Sequence, residues 1–156
     1  VSTDMAINQT TTTSFRVQLL QGVHNFDSDV FYIALYTGAA SLGPDTTAYT
    51  STGEITGTGY TAGGIPLTIT VPPTVDNTYN LTYISFANAI WTPASFTCRG
   101  ALVYNYTTKA ACFVLNFGSD KTCNSSFTVQ FPAATSTSAI LSIGSYTSAT
   151  VVSSGD

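Results

Sequence analysis

A period of two runs along much of the chain, and it is densest in apolar residues in DVFYIALYT, residues 29–37. Successive side chains of a strand point to opposite faces. Phe31, Ile33 and Leu35 therefore share one face, and Tyr32, Ala34 and Tyr36 share the other. Both faces are apolar, which predicts a strand covered on two sides. The same period returns downstream. Leu67, Ile69 and Val71 alternate with Thr68 and Thr70, and Pro72-Pro73 is expected to end that strand. Further strands are predicted over residues 81–86 and 96–104. Another is predicted in CFVLNF, where Phe113, Leu115 and Phe117 share a face. The GSDK that follows, residues 118–121, reads as a turn, with Phe127, Val129 and Phe131 on its far side. A last short strand falls over residues 140–143.

One segment breaks the period of two. In SFRVQLLQGVHNF, Phe15, Leu19 and Leu20 fall near helical spacing, with Ser14 as a candidate N-cap and Gly22 as a candidate stop. Six or seven strands at short intervals, punctuated by Gly, Pro, Asn and Ser, predict an all-β sandwich or jelly roll carrying one short N-terminal helix. Nothing alternates as strand and helix. The expected organisation is an N-terminal arm over residues 1–14, one β-sandwich domain over 15–143 and a C-terminal arm over 144–156. Both arms are rich in Ser and Thr, and neither is periodic.

Composition adds a constraint. Charged residues make up 8% of the 156, against about 25% in ordinary soluble domains. A weakly charged, hydroxyl-rich exterior suits a secreted protein or one covered by partners in an assembly. The second is favoured, because low charge is a poor means of keeping a free monomer soluble. The four basic residues, Arg16, Arg99, Lys109 and Lys121, are scattered, so no nucleic-acid footprint is expected. No apolar run approaches a membrane span, and the first residues show no charged stretch followed by an apolar one, so neither membrane nor leader is expected. Cys98, Cys112 and Cys123 are odd in number and lack C-x-x-C spacing. They read as free, mostly buried thiols, which fits synthesis in a cytoplasm. Hairpin register across GSDK would set Cys112 opposite Phe127 and Cys123 opposite Asn116, joining no two cysteines.

Candidate chemistry is sparse. GEITGTGYTAGG, residues 53–64, contains Gly57-Thr-Gly59. A phosphate-binding glycine loop must open a helix, whereas a strand-like IPLTITVPP follows here. Bent backbone with close approach is the better reading. His24, the one histidine, has Asp27 and Asp29 nearby, but no nucleophile elbow is present. A role past the helix end is expected for it. Asn25, Asp27 and Asp29 resemble the start of a calcium loop without its glycine and distal glutamate, and an Asx-rich turn is the simpler expectation. Asp45 and Glu54 read as isolated loop acids. Tyr49, Tyr60, Tyr79, Tyr83, Tyr104 and Tyr106 offer aromatic faces for sugar, or pack at a sheet or subunit surface. Asn8, Asn80, Asn105 and Asn124 head glycosylation sequons; about two are expected by chance in such a composition, so they are weak evidence for glycosylation. No residue is assigned a catalytic, cofactor-binding or metal-binding role.

Several segments, taken in order, resemble a family of small virion structural proteins of tailed bacteriophages. They are LLQGVHNFDSDVFYIALYTGAASL, TTAYTSTGEITGTGYTAGGIPLT, WTPASFTCRGALVYN, VLNFGSDKT and SFTVQFP. The likeness runs from about residue 15 to 143. Cys98 and the polar arms depart from the family pattern. The resemblance implies a non-enzymatic part of a particle without cofactors, made in a bacterial cytoplasm. Its foremost expected role is capsid decoration on the outer shell, as a homotrimer bound to the major capsid protein. A tail, baseplate or head-fibre component with host-glycan binding stays open beside it, as does a secreted β-sandwich lectin.

Overall fold

A computed structural model describes residues 6–144. Strands and one helix follow in the order β1 (Thr10–Thr11), α1 (Thr13–Leu20), β2 (Phe31–Tyr36), β3 (Ile65–Pro66), β4 (Ile69–Asp76), β5 (Leu81–Phe86), β6 (Ala89–Trp91), β7 (Phe96–Asn105), β8 (Ala111–Cys123), β9 (Phe127–Val129) and β10 (Leu141–Gly144). They form a five-stranded sheet, β1-β8-β7-β2-β3, a three-stranded sheet, β10-β5-β4, and the pair β6-β9. Every ladder is antiparallel. The fold is all-β and sandwich-like, as its alternating pattern predicts.

The large sheet is buried on both faces, as the double alternation in β2 requires. Phe31, Ile33 and Leu35 enter the main core, where Phe15, Ile84, Phe86, Trp91, Phe96 and Phe131 meet them. Ala34 and Tyr36 enter a second core on the opposite face, closed by Ile7, Ala40 and Leu42. In β7, Ala101 and Val103 face the main core while Leu102 and Tyr104 face the second.

Two irregularities keep that assignment consistent. Phe96 and Cys98 also face the main core, although their parity differs from that of Ala101 and Val103. A register shift between Cys98 and Gly100 absorbs the difference, because one unmatched residue flips every later side chain to the other face. A second shift, between Val103 and Tyr104, puts Cys112 and Phe113 of β8 on the same core.

Helix α1 is capped at both ends. Thr12, rather than Ser14, is the N-cap: its Oγ1 accepts from the Phe15 amide at 3.1 Å and donates to the Ala111 carbonyl at 3.1 Å. The register of β1 on β8 decides this, since it carries Thr12 into a buried position beside Ala111. Gly22 does end the helix. With φ +71° it lets its own amide reach Leu19 and the Val23 amide reach Gln18, a paired closure of the last carbonyls. Phe15 and Leu19, one turn apart, face the core. Leu20 is 93% exposed, since five residues of helix place it well off the Phe15 stripe.

Four expectations need correction. Residues 6–14 do not stand off as an arm: Ile7 bridges Leu42, and β1 pairs with β8 through Thr10 and Thr11. Residues 1–5 lie outside the described residues, as does the expected C-terminal arm beyond Gly144. Pro72-Pro73 does not end a strand: β4 passes through both. It is an edge strand whose ladder slips between Val71 and Thr74, so the missing amides interrupt no inner hydrogen bond. GSDK is not a hairpin turn but an outward bulge inside β8. Asn116 opposes Gly100 and Lys121 opposes Cys98, with Gly118 at φ +81° between them. The cysteine register changes accordingly. Cys123 lies opposite Phe96, and β9 pairs with β6 instead of β8. All three cysteines are free thiols.

Candidate functional site

The glycine-rich segment 53–64 is a strap across the ends of β2 and the approach to β7. The Tyr60 amide closes on the Gly57 carbonyl, and the Gly64 amide on Thr61, folding the strap into successive turns. It lies so close to the sheet that a Cβ on Gly64 would stand 1.8 Å from the Ile33 carbonyl oxygen. A Cβ on Gly59 would stand 2.0 Å from that of Pro93. No helix follows, and the strap's bonded amides serve its own turns, the Glu54 carboxylate and the Leu35 carbonyl of β2. These glycines allow backbone to lie on backbone.

Glu54 is not an isolated loop acid; the strap is built around it. Its Oε1 accepts from the Tyr60 hydroxyl and from the Gly63 amide, each at 2.6 Å. Its Oε2 accepts from the Tyr49 hydroxyl at 2.6 Å. The Tyr60 hydroxyl in turn accepts from the Leu35 amide at 2.9 Å, tying the carboxylate to β2. Two more tyrosines fasten the same region: Tyr36 donates to the Thr50 carbonyl and Tyr104 to that of Gly63. Burial, and then the bond to Glu54, pushes the Tyr49 hydroxyl up to about 12. Burial raises Tyr36, Tyr60 and Tyr104 as well. These hydroxyls therefore stay protonated and keep donating.

The tyrosine cluster continues to the surface. Tyr49 stacks on Tyr104 with ring centres 4.8 Å apart, and Tyr32 stacks on Tyr106 at 4.1 Å. Lys109 Nζ lies 3.5 Å over the Tyr106 ring. Lysine and Tyr32 cannot share one face of that ring at such distances, so Tyr106 is clamped on both sides, although its rim is exposed. A sugar stacks only on an uncovered aromatic face, which Tyr106 lacks. Tyr83 lies in β5 and Tyr79 in the turn between β4 and β5, so neither joins the group. Sequence reasoning named Tyr49, Tyr60, Tyr104 and Tyr106 but missed Tyr32, Tyr36, Glu54 and Lys109. The pairing Tyr32↔Tyr104 depends on the β2–β7 register, which no local pattern reveals. Beside Tyr49 lies an open depression of 660 Å³, lined by the hydroxyl-rich loop 41–50 with Ala6 and Asn8.

His24 sits in a second polar group. It is buried, with Nε2 2.8 Å from Gln18 Oε1 and Nδ1 3.2 Å from Asn105 Nδ2. The amide oxygen accepts and the amide nitrogen donates, so the ring is neutral with its proton on Nε2. Both nitrogens are engaged, which leaves neither to take a proton from a nucleophile. Asn105 also donates to Asp29 at 2.9 Å, and its Oδ1 accepts from the Thr107 and Thr108 amides. A fully buried Asn105 with this many partners is closed to glycosylation in the folded chain. The N-x-D-x-D stretch forms the expected Asx turn: Asn25 Oδ1 accepts from the Asp27 amide, and Asp29 Oδ2 from the Asn25 amide. Among the described residues no three His, Cys, Asp or Glu side chains gather as a metal site, and no helix is long and apolar enough to cross a membrane. Burial pushes the Cys98 thiol up to about 12, with Cys123 and Asp120 adding to the effect, and raises Cys112 too.

Burial lowers the His24 pKa below the ordinary value of 6.5, against an opposing pull from Asp29. The unfolded chain therefore binds the proton more readily than the folded one. Stability from this group is complete above about pH 6.5 and falls as pH drops through the folded value. Denaturant midpoints followed from pH 7.5 to 5 should decline on the acid side. His24→Gln should flatten that decline, and an unchanged slope would assign the acid sensitivity to other groups.

Comparison with family models, with curated proteins and with solved structures finds no match.

Proposed function

We propose that the chain is a structural virion protein of a tailed phage, acting as a capsid decoration protein on the outer shell. The observation that carries the reading is the ordered likeness over residues 15–143. Its marker segments are spatial neighbours here. IALYT lies in β2 and pairs with the β7 segment CRGALVYN. The strap GTGYTAGG rests on Ile33 of β2. FGSDKT is the β8 bulge, where Arg99 of β7 reaches the Gly118 carbonyl at 3.4 Å and Asp120 at 3.6 Å. A likeness spread along the chain thus converges on one braced body. The low charge suits a protein whose surface is largely covered by neighbours.

A decoration protein works by mass action. It binds the assembled shell and not the free capsid subunit, so occupancy stabilises the shell. Free protein at 100 times its dissociation constant adds about 2.7 kcal/mol per site. The proposed partners are the major capsid protein and other copies of this chain in a closed trimer. Particles assembled without the protein should form normally but release their genome at a lower temperature than decorated ones. Equal heat resistance would overturn cementing. A copy number of a dozen or fewer, with labelling at the tail alone, would move the assignment to a tail or baseplate component.

A further inference from the structure

The loop over residues 41–50 has almost no regular structure, yet hydrogen bonds fix it from three sides. Toward the N-terminal segment, the Asn8 backbone amide reaches the Leu42 carbonyl at 2.8 Å, and the Leu42 amide reaches that of Ala6 at 3.2 Å. Toward α1, the Thr13 amide reaches the Pro44 carbonyl at 2.9 Å. Toward β8, the Tyr49 amide reaches the Lys109 carbonyl at 2.8 Å, and the Ala111 amide reaches that of Thr47 at 3.1 Å. All of these bonds join main-chain groups, so the loop is held without drawing on its side chains.

Those side chains gather around the 660 Å³ depression. Asn8, Ser41, Asp45 and Thr47 are exposed and all line it. They set an amide, a carboxylate and two hydroxyls around one concave surface. The one aromatic residue in the lining is Tyr49. One face of its ring rests on Tyr104, and its hydroxyl is tied to Glu54 at 2.6 Å. Among the described residues, no second ring and no lysine lies over its other face. Tyr49 therefore differs from Tyr106, which is clamped on both sides.

We propose that this depression binds a neutral pyranose sugar, with a C–H face of the sugar ring packed on Tyr49 and its hydroxyls bonded to Asp45 and the polar groups beside it. A pyranose combines an apolar C–H face with a rim of hydroxyls that both donate and accept. An aromatic face suits the first. A carboxylate accepts from two neighbouring hydroxyls, and the amide and hydroxyl groups supply donors as well as acceptors. The volume falls within the range of about 300–1,000 Å³ usual for small-ligand sites. Charge sets the class of sugar. No lysine, arginine or histidine lines the depression, and Asp45 is its one ionised group. A sugar carrying carboxylate, sulfate or phosphate would meet repulsion with no cation to offset it. The pinned loop and the locked Tyr49 ring have little freedom left to lose on binding. This inference goes beyond the virion reading and does not depend on the protein's place on a particle.

The test is NMR on the full chain, titrated with the methyl glycosides of glucose, galactose, mannose and N-acetylglucosamine at millimolar concentrations. Saturation transfer from the protein is expected to at least one of them, strongest at the C–H protons of one ring face. The accompanying shifts of protein amides should map to Asn8 and residues 41–50. Asp45→Asn should weaken binding about tenfold or more, because a hydrogen bond to a charged group is worth at least that factor. Its denaturant midpoint should stay that of the parent chain, since Asp45 is exposed. No transfer to any glycoside would overturn the proposal, as would shifts that map elsewhere or binding that Asp45→Asn leaves unchanged. Preference for glucuronate or sialic acid would overturn the neutral class. An equal response to sorbitol, which has the hydroxyls without the ring, would show that no sugar face is recognised and would count equally against it.

Discussion

Gly64→Ala is expected to destabilise the chain by about 2–5 kcal/mol, a large share of the stability of a typical domain. Two costs combine. A residue at φ +80° disfavours any side chain by about 1–2 kcal/mol. The new methyl would also stand 1.8 Å from the Ile33 carbonyl oxygen, against backbone that cannot rotate aside. Forcing the strap away from β2 adds a further overpacking cost of about 1–3 kcal/mol and strains the Tyr104–Gly63 and Tyr60–Leu35 bonds. Gly118→Ala provides the control. Its φ is also +81°, but no atom lies within 4 Å of the added methyl. That variant should lose only about 1 kcal/mol. Urea titrations of the two side by side separate close approach from backbone conformation; equal losses would contradict the strap's contact with β2.

Glu54→Ala should be the next most damaging change, at about 2–4 kcal/mol. It removes the acceptor for two tyrosine hydroxyls and one amide at once, and hydrogen bonds to a charged group contribute about 1.5–3 kcal/mol each. Water entering the half-buried site offsets part of that loss. Glu54→Gln should be much milder. Its amide oxygen can keep Tyr60 and Gly63, while the Tyr49 hydroxyl rotates to accept from the new amide group. The gap between the two variants in denaturant midpoint measures the bracing. Similar values for both would mean that Glu54 holds charge without holding the strap.

The architecture was legible wherever side-chain period decides it. β5 matched its predicted bounds, β2 lies within the predicted stretch 29–37, and double apolar alternation in β2 announced a sheet covered on two sides. The glycine strap was legible as bent, closely approaching backbone because a strand followed it. What failed was register. GSDK has turn composition, yet β7 is long enough to recapture the chain beyond it, so the segment became a bulge. Pro72-Pro73 has the signature of a strand end, yet on an unpaired edge a missing amide is harmless. Ser14 has the cap signature in sequence, and only the β1–β8 pairing, which buries Thr12 beside Ala111, gives the role to Thr12. The candidate site failed for the same reason. Glu54 and Tyr49 are close along the chain, but Tyr32, Tyr36 and Tyr104 reach the cluster through cross-strand pairs between distant segments.

Burial of the large sheet on both faces has an evolutionary consequence. Along β2 and the middle of β7 there is no side of the strand on which a neutral substitution can accumulate. Every position answers either to the main core or to the second one. Variation is pushed instead into the loop 41–50, the turn between β4 and β5, and the outward bulge of β8. Related chains should therefore share a frame that changes slowly while these patches diverge quickly, and a new binding partner would be acquired there without disturbing the frame.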